Sequence, residues 1–230
     1  MQNKTDIKYL KDMAKNFLYM DLSGQDSAFW PVIVQHPVFT SAMVGIGDKF
    51  YNVTNPEELD IVRKEYCKKV DDMKNPLQIV DFIHRPYRMT FLKYTKNALS
   101  AEDFSRLLKW VWITTENPNQ DVNVSVKTAA RWFRQADKKY LMDEKEYEVY
   151  QNIPEEITLY RGVAVDRNPD GLSWTDDIEV ARWFSHRFDL GGKKGCIQYA
   201  KVKKQEVLAY FENEKEYVVQ VKNPSILEEN

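Results

Sequence analysis

The chain has 230 residues, with 33 Lys and Arg against 35 Asp and Glu, a formal charge of −2 and a sequence pI near 6.0. A hydrophobic share of 43% and an aromatic share of 13% support a sizeable core and exclude disorder of the whole chain, and the near-neutral balance excludes a generally basic nucleic-acid binder. Of the eight glycines, five (Gly162, Gly171, Gly191, Gly192 and Gly195) fall within 34 residues, which draws attention to the last 80 residues.

Charges run through Met1–Tyr19 without an apolar h-region, and no stretch approaches 18 uncharged apolar residues. Neither a signal peptide nor a membrane span is expected, and the reducing cytoplasm is the preferred compartment. Residues 6–19 put Ile7, Leu10, Met13, Ala14, Phe17 and Leu18 on one stripe and predict an amphipathic helix. Residues 28–47 are apolar and β-branched with Pro31 and Pro37, and fit a strand or an irregular core equally. Asn55-Pro56-Glu57-Glu58 reads as a helix start, with a cap, a first-turn proline and acids at the positive end of the dipole. That helix should reach about Met73; Asn75-Pro76 starts another and 87–98 a further one. Ser100 opens a helix through about Trp112, residues 125–142 form one helix, and 144–151 add a short piece. Up to residue 150 the chain reads as almost wholly helical, with Trp30, Trp110, Trp112 and Trp132 expected mainly in the core.

The pattern then changes. Residues 157–161, 196–202, 206–211 and 217–221 alternate or run in β-branched and aromatic residues, as strands do, and 177–187 is a helix between the first two. The fold class is therefore α+β: a helical region, 1–150, precedes a strand-rich region, 151–230. Two domains and one continuous unit both remain open, because no Pro/Gly/Ser linker separates the parts.

Gly45-Ile46-Gly47 is a lone GxG without a third glycine, and Gly191-Gly-Lys-Lys-Gly195 lacks P-loop spacing. Cys67 and Cys196 are far apart and the three histidines (His36, His84, His186) are scattered, so no metal site is expected. Arg85-Pro-Tyr-Arg88 with Lys93, Tyr94 and Lys96 is a modest basic–aromatic stretch, more readily a solvated helix face than a nucleic-acid contact. Three short segments of the C-terminal part stand out by their order: Tyr160-Arg161-Gly162 at a strand end, Gly171-Leu-Ser173-Trp-Thr175 before a helix, and Glu212-Asn-Glu214-Lys-Glu216 entering an apolar β run.

These residues resemble the ADP-ribosyltransferase superfamily, in the branch whose motifs are Arg, Ser-Thr-Ser and Glu-x-Glu, over roughly residues 157–222. Phe184 and Arg187 lie 11 and 14 residues after Ser173, offsets similar to those of a ring-stacking phenylalanine and a phosphate-holding arginine in binary-toxin-type members. The stretch from Gly171 to Phe188 also looks like one in phage- and prophage-encoded members. The resemblance implies a mixed-sheet ADP-ribosyltransferase-like fold and NAD as co-substrate, with no metal. It implies that Arg161 and Arg187 hold the NAD phosphates, that Gly162 offers its backbone to the nicotinamide carboxamide, and that Phe184 stacks on the ring. Ser173 would orient the catalytic carboxylate, Thr175 support that strand, Glu216 act as the catalytic glutamate, and Glu214 activate or orient the acceptor. The residue types suit the chemistry: breaking the nicotinamide–ribose bond builds positive charge on the ribose, which a fixed carboxylate stabilises most in the transition state.

The middle motif departs from the pattern, with Trp174 in place of a small residue. Acceptor choice varies across the superfamily, so the partner is a macromolecule, either a protein side chain such as arginine or a nucleic-acid base in RNA or DNA. The implied activity is that of a mono-ADP-ribosylating toxin or phage-related effector. Residues 1–150 would then recognise the target or bind a neutralising antitoxin protein. An NAD glycohydrolase, and an inactive binding module on the same fold, are the alternatives.

Overall fold

The structure, a computed structural model, describes residues 2–23, 34–187, 189 and 194–227. The chain divides into two compact units, 1–116 and 117–230. Helices give way to the C-terminal strands between Asn152 and Glu156, near the 150/151 division read from the sequence, but the compact units divide at 116/117, because the helices of 126–152 pack on the C-terminal sheet.

In the first unit, α1 (Ile7–Leu18) is capped by Asp6, whose carboxylate accepts the Tyr9 amide at 2.9 Å. A hairpin follows, β1 (Met43–Ile46) and β2 (Lys49–Asn52), in antiparallel register around a turn at Gly47-Asp48. The lone GxG is thus part of a hairpin. The open reading of 28–47 is decided only in part, since 28–33 and Trp30 with them lie outside the described residues. Next come α2 (Pro56–Asp72), α3 (Pro76–Asp81), α4 (Arg88–Thr95) and α5 (Ala101–Thr114). Each predicted cap is used: Asn55 accepts the Glu57 and Glu58 amides, Asn75 and Gln78 form a capping box, and Ser100 accepts the Asp103 amide. The buried face of α1 meets α4, where Phe17 and Phe91 pack edge to face at 5.2 Å. Arg88 is withdrawn from the basic–aromatic stretch: it is buried, and its guanidinium bonds the Ile83 carbonyl and pairs with Asp81.

His36 lies beside a core cluster of Leu18, Val34, Phe39, Ala42, Val44, Val53 and Val62, stacked on Phe39 at 4.6 Å. Its Nδ1 accepts the Val38 and Phe39 amides, so the proton sits on Nε2 and is donated to the Met20 carbonyl at 3.1 Å. Burial pushes its pKa from 6.5 down to about 4, against the raising effect of the Met20 bond. Between these values the unfolded chain binds the proton at His36 and the folded one does not, so the contribution of His36 to stability falls as pH drops from 6.5 to 4 and levels off below. The loss should total about 3 kcal/mol. Denaturant midpoints measured across that range should show it. His36→Asn keeps an acceptor near the Nδ1 position and should be less stable but flatter with pH.

The second unit opens with α6 (Val126–Gln135), α7 (Lys138–Leu141) and α8 (Glu144–Asn152). The single helix predicted over 125–142 is broken at Ala136-Asp137: Ala136 is extended, and the Asp137 side chain starts the next turn by accepting the Lys139 amide. The sheet contains β3 (Glu156–Val163), β4 (Ser173–Thr175), β5 (Cys196–Lys203), β6 (Val207–Phe211), β7 (Glu216–Val219) and β8 (Ser225–Leu227), and α9 (Ile178–His186) joins β4 to β5. Its order is β6-β7-β4-β3-β5-β8.

Fold class is thus mixed α+β, but the mixed sheet expected from the resemblance is instead antiparallel in every described pairing. Parallel neighbours need a long crossover, and the strands that α9 joins are not neighbours. Among the described residues no helix is long and apolar enough to cross a membrane, and no group of His, Cys, Asp and Glu is arranged to hold a metal ion.

Candidate active site

The sheet order makes β3, β4 and β7 consecutive neighbours, so the segments carrying Arg161, Ser173 with Thr175, and Glu216 lie side by side. Thr175 stands opposite Tyr160 on one side and Glu216 on the other. Side chains alternate along a strand, so Tyr160, Thr175 and Glu216 share a face. Trp174, opposite Tyr217, takes the other face, where it is buried with Nε1 donating to the Gly171 carbonyl at 3.2 Å. The tryptophan at the centre of Ser173-Trp174-Thr175 therefore points away from the side chains of Ser173 and Thr175.

Arg161 starts from the face opposite Tyr160, and its guanidinium reaches the start of β4. It is 9% exposed; Nη1 donates to the Ser173 carbonyl at 2.8 Å and Nη2 to the Asn168 carbonyl at 3.0 Å. A Cβ on Gly171 would fall 2.1 Å from Nη2, so only glycine lets the guanidinium lie there. Burial pushes the Arg161 pKa down to about 10, opposed first by the charge of Glu216 and then by Asp170, and the group stays charged at neutral pH. Its Nε–H is buried without a hydrogen-bond partner, as is Oε1 of Gln198, the residue directly opposite on β5.

Glu216 is the first residue of β7 and is 8% exposed. Glu214 is exposed on a 3-10 turn, Glu212–Glu214, and Lys215 between them is left-handed at φ 47°. That kink removes the same-face relation that two residues of separation would give within a strand. Lys215 donates to Asp177 at 3.2 Å, and Asp177 is the N-cap of α9, so the Glu214 turn is tied to the helix. Tyr217 donates to Asp176 at 3.1 Å, and burial first, with that carboxylate second, pushes its pKa up.

Gly162 lies under α9. A Cβ there would fall 2.0 Å from the Ala181 carbonyl oxygen, 2.6 Å from the Ser185 amide and 2.8 Å from Phe184 Cβ. Phe184 is half-buried beside this glycine, and Trp183 is 58% exposed, so of the two aromatics it is Phe184 that turns inward. Arg187 follows the helix with its guanidinium 5.2 Å over the Trp183 ring. Most of the loop 188–195 lies outside the described residues, including Gly191 and Gly192.

Two residues absent from the sequence reading complete the arrangement. Asn119 bonds both Leu172 and Ser173, and Asn168 links Asn119 to Arg161. Asn119 follows Pro118 in a segment that reads only as the end of a helix, so no local signal marks it. Comparison with protein-family models, with curated proteins and with solved structures finds no match.

Proposed function

We propose that the protein is a mono-ADP-ribosyltransferase on an ADP-ribosyltransferase-like fold, which takes NAD as co-substrate and transfers ADP-ribose to a macromolecule. The observation that carries this reading is the adjacency of β3, β4 and β7, which brings the Arg, Ser-x-Thr and Glu-x-Glu segments together from as far as 55 residues apart. NAD supplies an anomeric carbon with nicotinamide as its leaving group; the glycosidic C–N bond breaks, the acceptor nucleophile bonds that carbon, and the acceptor's proton is released.

In this reading the buried Glu216 carboxylate stabilises the positive charge that develops on the ribose. Ser173 orients that carboxylate, Thr175 supports the strand from the position opposite Glu216, and the exposed Glu214 faces the acceptor. Arg161 holds the start of β4 and contributes a buried positive charge that attracts the phosphates of the dinucleotide. Arg187 adds a second cation, Phe184 a ring surface, and Gly162 a backbone without a side chain.

The test is incubation of cell lysate and the protein with NAD labelled in its adenylate moiety, followed by separate protease and nuclease digestion. Macromolecular label is the expected result. Its survival of protease and loss to nuclease identifies a nucleic-acid acceptor, and the reverse identifies a protein. NAD consumption by the pure protein at a rate that lysate does not change identifies a glycohydrolase instead. An absence of NAD binding by calorimetry overturns the reading.

A further inference from the structure

Asn119 belongs to none of the three motifs, yet its side chain lies along the beginning of β4. Its Oδ1 accepts the Leu172 amide at 2.9 Å and its Nδ2 donates to Ser173 Oγ at 3.3 Å. The backbone N–H of Leu172 can only donate, so it fixes which end of the amide is oxygen, and the NH2 end must face the serine. A hydroxyl carries one proton. With a lone pair of Ser173 Oγ taken by Asn119, the hydroxyl's own O–H is left to donate elsewhere. The main chain of Asn119 extends the connection: its carbonyl accepts Asn168 Nδ2 at 3.0 Å, and the Asn168 carbonyl accepts Arg161 Nη2 at 3.0 Å.

We infer that Asn119 is a positioning residue that sets the polarity of the Ser173 hydroxyl, making it a donor toward a carboxylate or a bound oxygen. The inference rests on the NAD chemistry proposed above. Two substitutions separate this role from plain support of the strand. Asn119→Asp keeps the acceptor for Leu172 but replaces the donor facing Ser173 with a carboxylate oxygen, which draws the serine proton to itself. Asn119→Ala removes both contacts and leaves the serine proton free to point either way.

Support alone makes Asn119→Ala the worse variant in every measurement. A polarity role splits the order. Thermal stability and amide-exchange protection at Leu172 should rank wild type, then Asn119→Asp, then Asn119→Ala. The kcat of nicotinamide release should rank wild type, then Asn119→Ala, then Asn119→Asp, the last roughly tenfold below the second. KM for NAD should change little, and in a Ser173→Ala background the two variants should turn over equally. Turnover that follows the stability order, or loss of Leu172 protection in Asn119→Asp, overturns the inference while the NAD chemistry stands. A wild-type protein that neither binds NAD nor releases nicotinamide overturns both.

Discussion

On the NAD chemistry proposed above, replacing Glu216 by glutamine is expected to lower nicotinamide release by a factor of roughly 10²–10³, about 3–4 kcal/mol of transition-state stabilisation. Glutamine keeps the volume at the head of β7 and removes the charge. The loss should fall on kcat more than on KM, because the carboxylate is needed most when the ribose is most positive. Glu216 also opposes the effect of burial on Arg161, so a modest fall in Tm should accompany the loss of activity. Single-turnover nicotinamide release and a thermal melt on one preparation separate the two effects. Glu214→Gln supplies the comparison: Glu214 is exposed on the turn, so this variant should leave the melt unchanged and alter transfer to the acceptor alone. Equal turnover of wild type and Glu216→Gln would sink the assignment of the catalytic carboxylate.

Gly162→Ala is expected to destabilise the second unit by about 3 kcal/mol, on the order of 10 °C in Tm. The added methyl meets the Ala181 carbonyl and the Ser185 amide, which are helix backbone and cannot rotate away, so α9 must lift off β3. Phe184 moves with the helix, and NAD turnover should fall with stability. Gly171→Ala is a contrasting case. Its new methyl meets the Arg161 guanidinium, a side chain, and should displace it from the Ser173 carbonyl at a smaller cost in stability. Gly45→Ala serves as a control, since the nearest atom to its Cβ is the Phe50 ring at 3.6 Å. Differential scanning calorimetry of the three variants tests the ranking, and a Gly162→Ala melt equal to that of Gly45→Ala would refute the packing of α9 on β3.

What was legible in the sequence follows the range of the interactions involved. Asn55, Asn75 and Ser100 satisfy amides two or three residues away, so each helix start can be read from a few adjacent letters. The strands at 156–163, 196–203, 207–211 and 216–219 carry their own alternation or β-branched runs. The break at Ala136-Asp137 was hidden because the apolar periodicity continues across it, and the Asp137 cap competes with an otherwise favourable helix. The first hairpin was masked by its short strands of four residues each, and β8 has only three residues, Ser225–Leu227, too few for a periodic signal.

The candidate site was legible as residue types in an order and not as an arrangement. Ser173, Trp174 and Thr175 gave no hint of which neighbour they pair with; sheet order decides that, and it places them between Arg161 and Glu216. Burial was equally out of reach: Arg161 reads only as an arginine at a strand end, but the space above Gly171 admits its guanidinium and the Ser173 and Asn168 carbonyls hold it there.

By itself the sequence determined where helices start, which segments extend, and that glycine would concentrate in the C-terminal third of the chain, all matters of local backbone preference. Only the tertiary structure decided that Gly162 and Gly171 are glycine for close approach, to α9 and to Arg161, and that Asn119 reaches Ser173 across 54 residues. Those contacts join segments whose separation in the chain carries no information about their distance in space. Long-range pairing and packing set them, and a reading of neighbouring letters does not contain either.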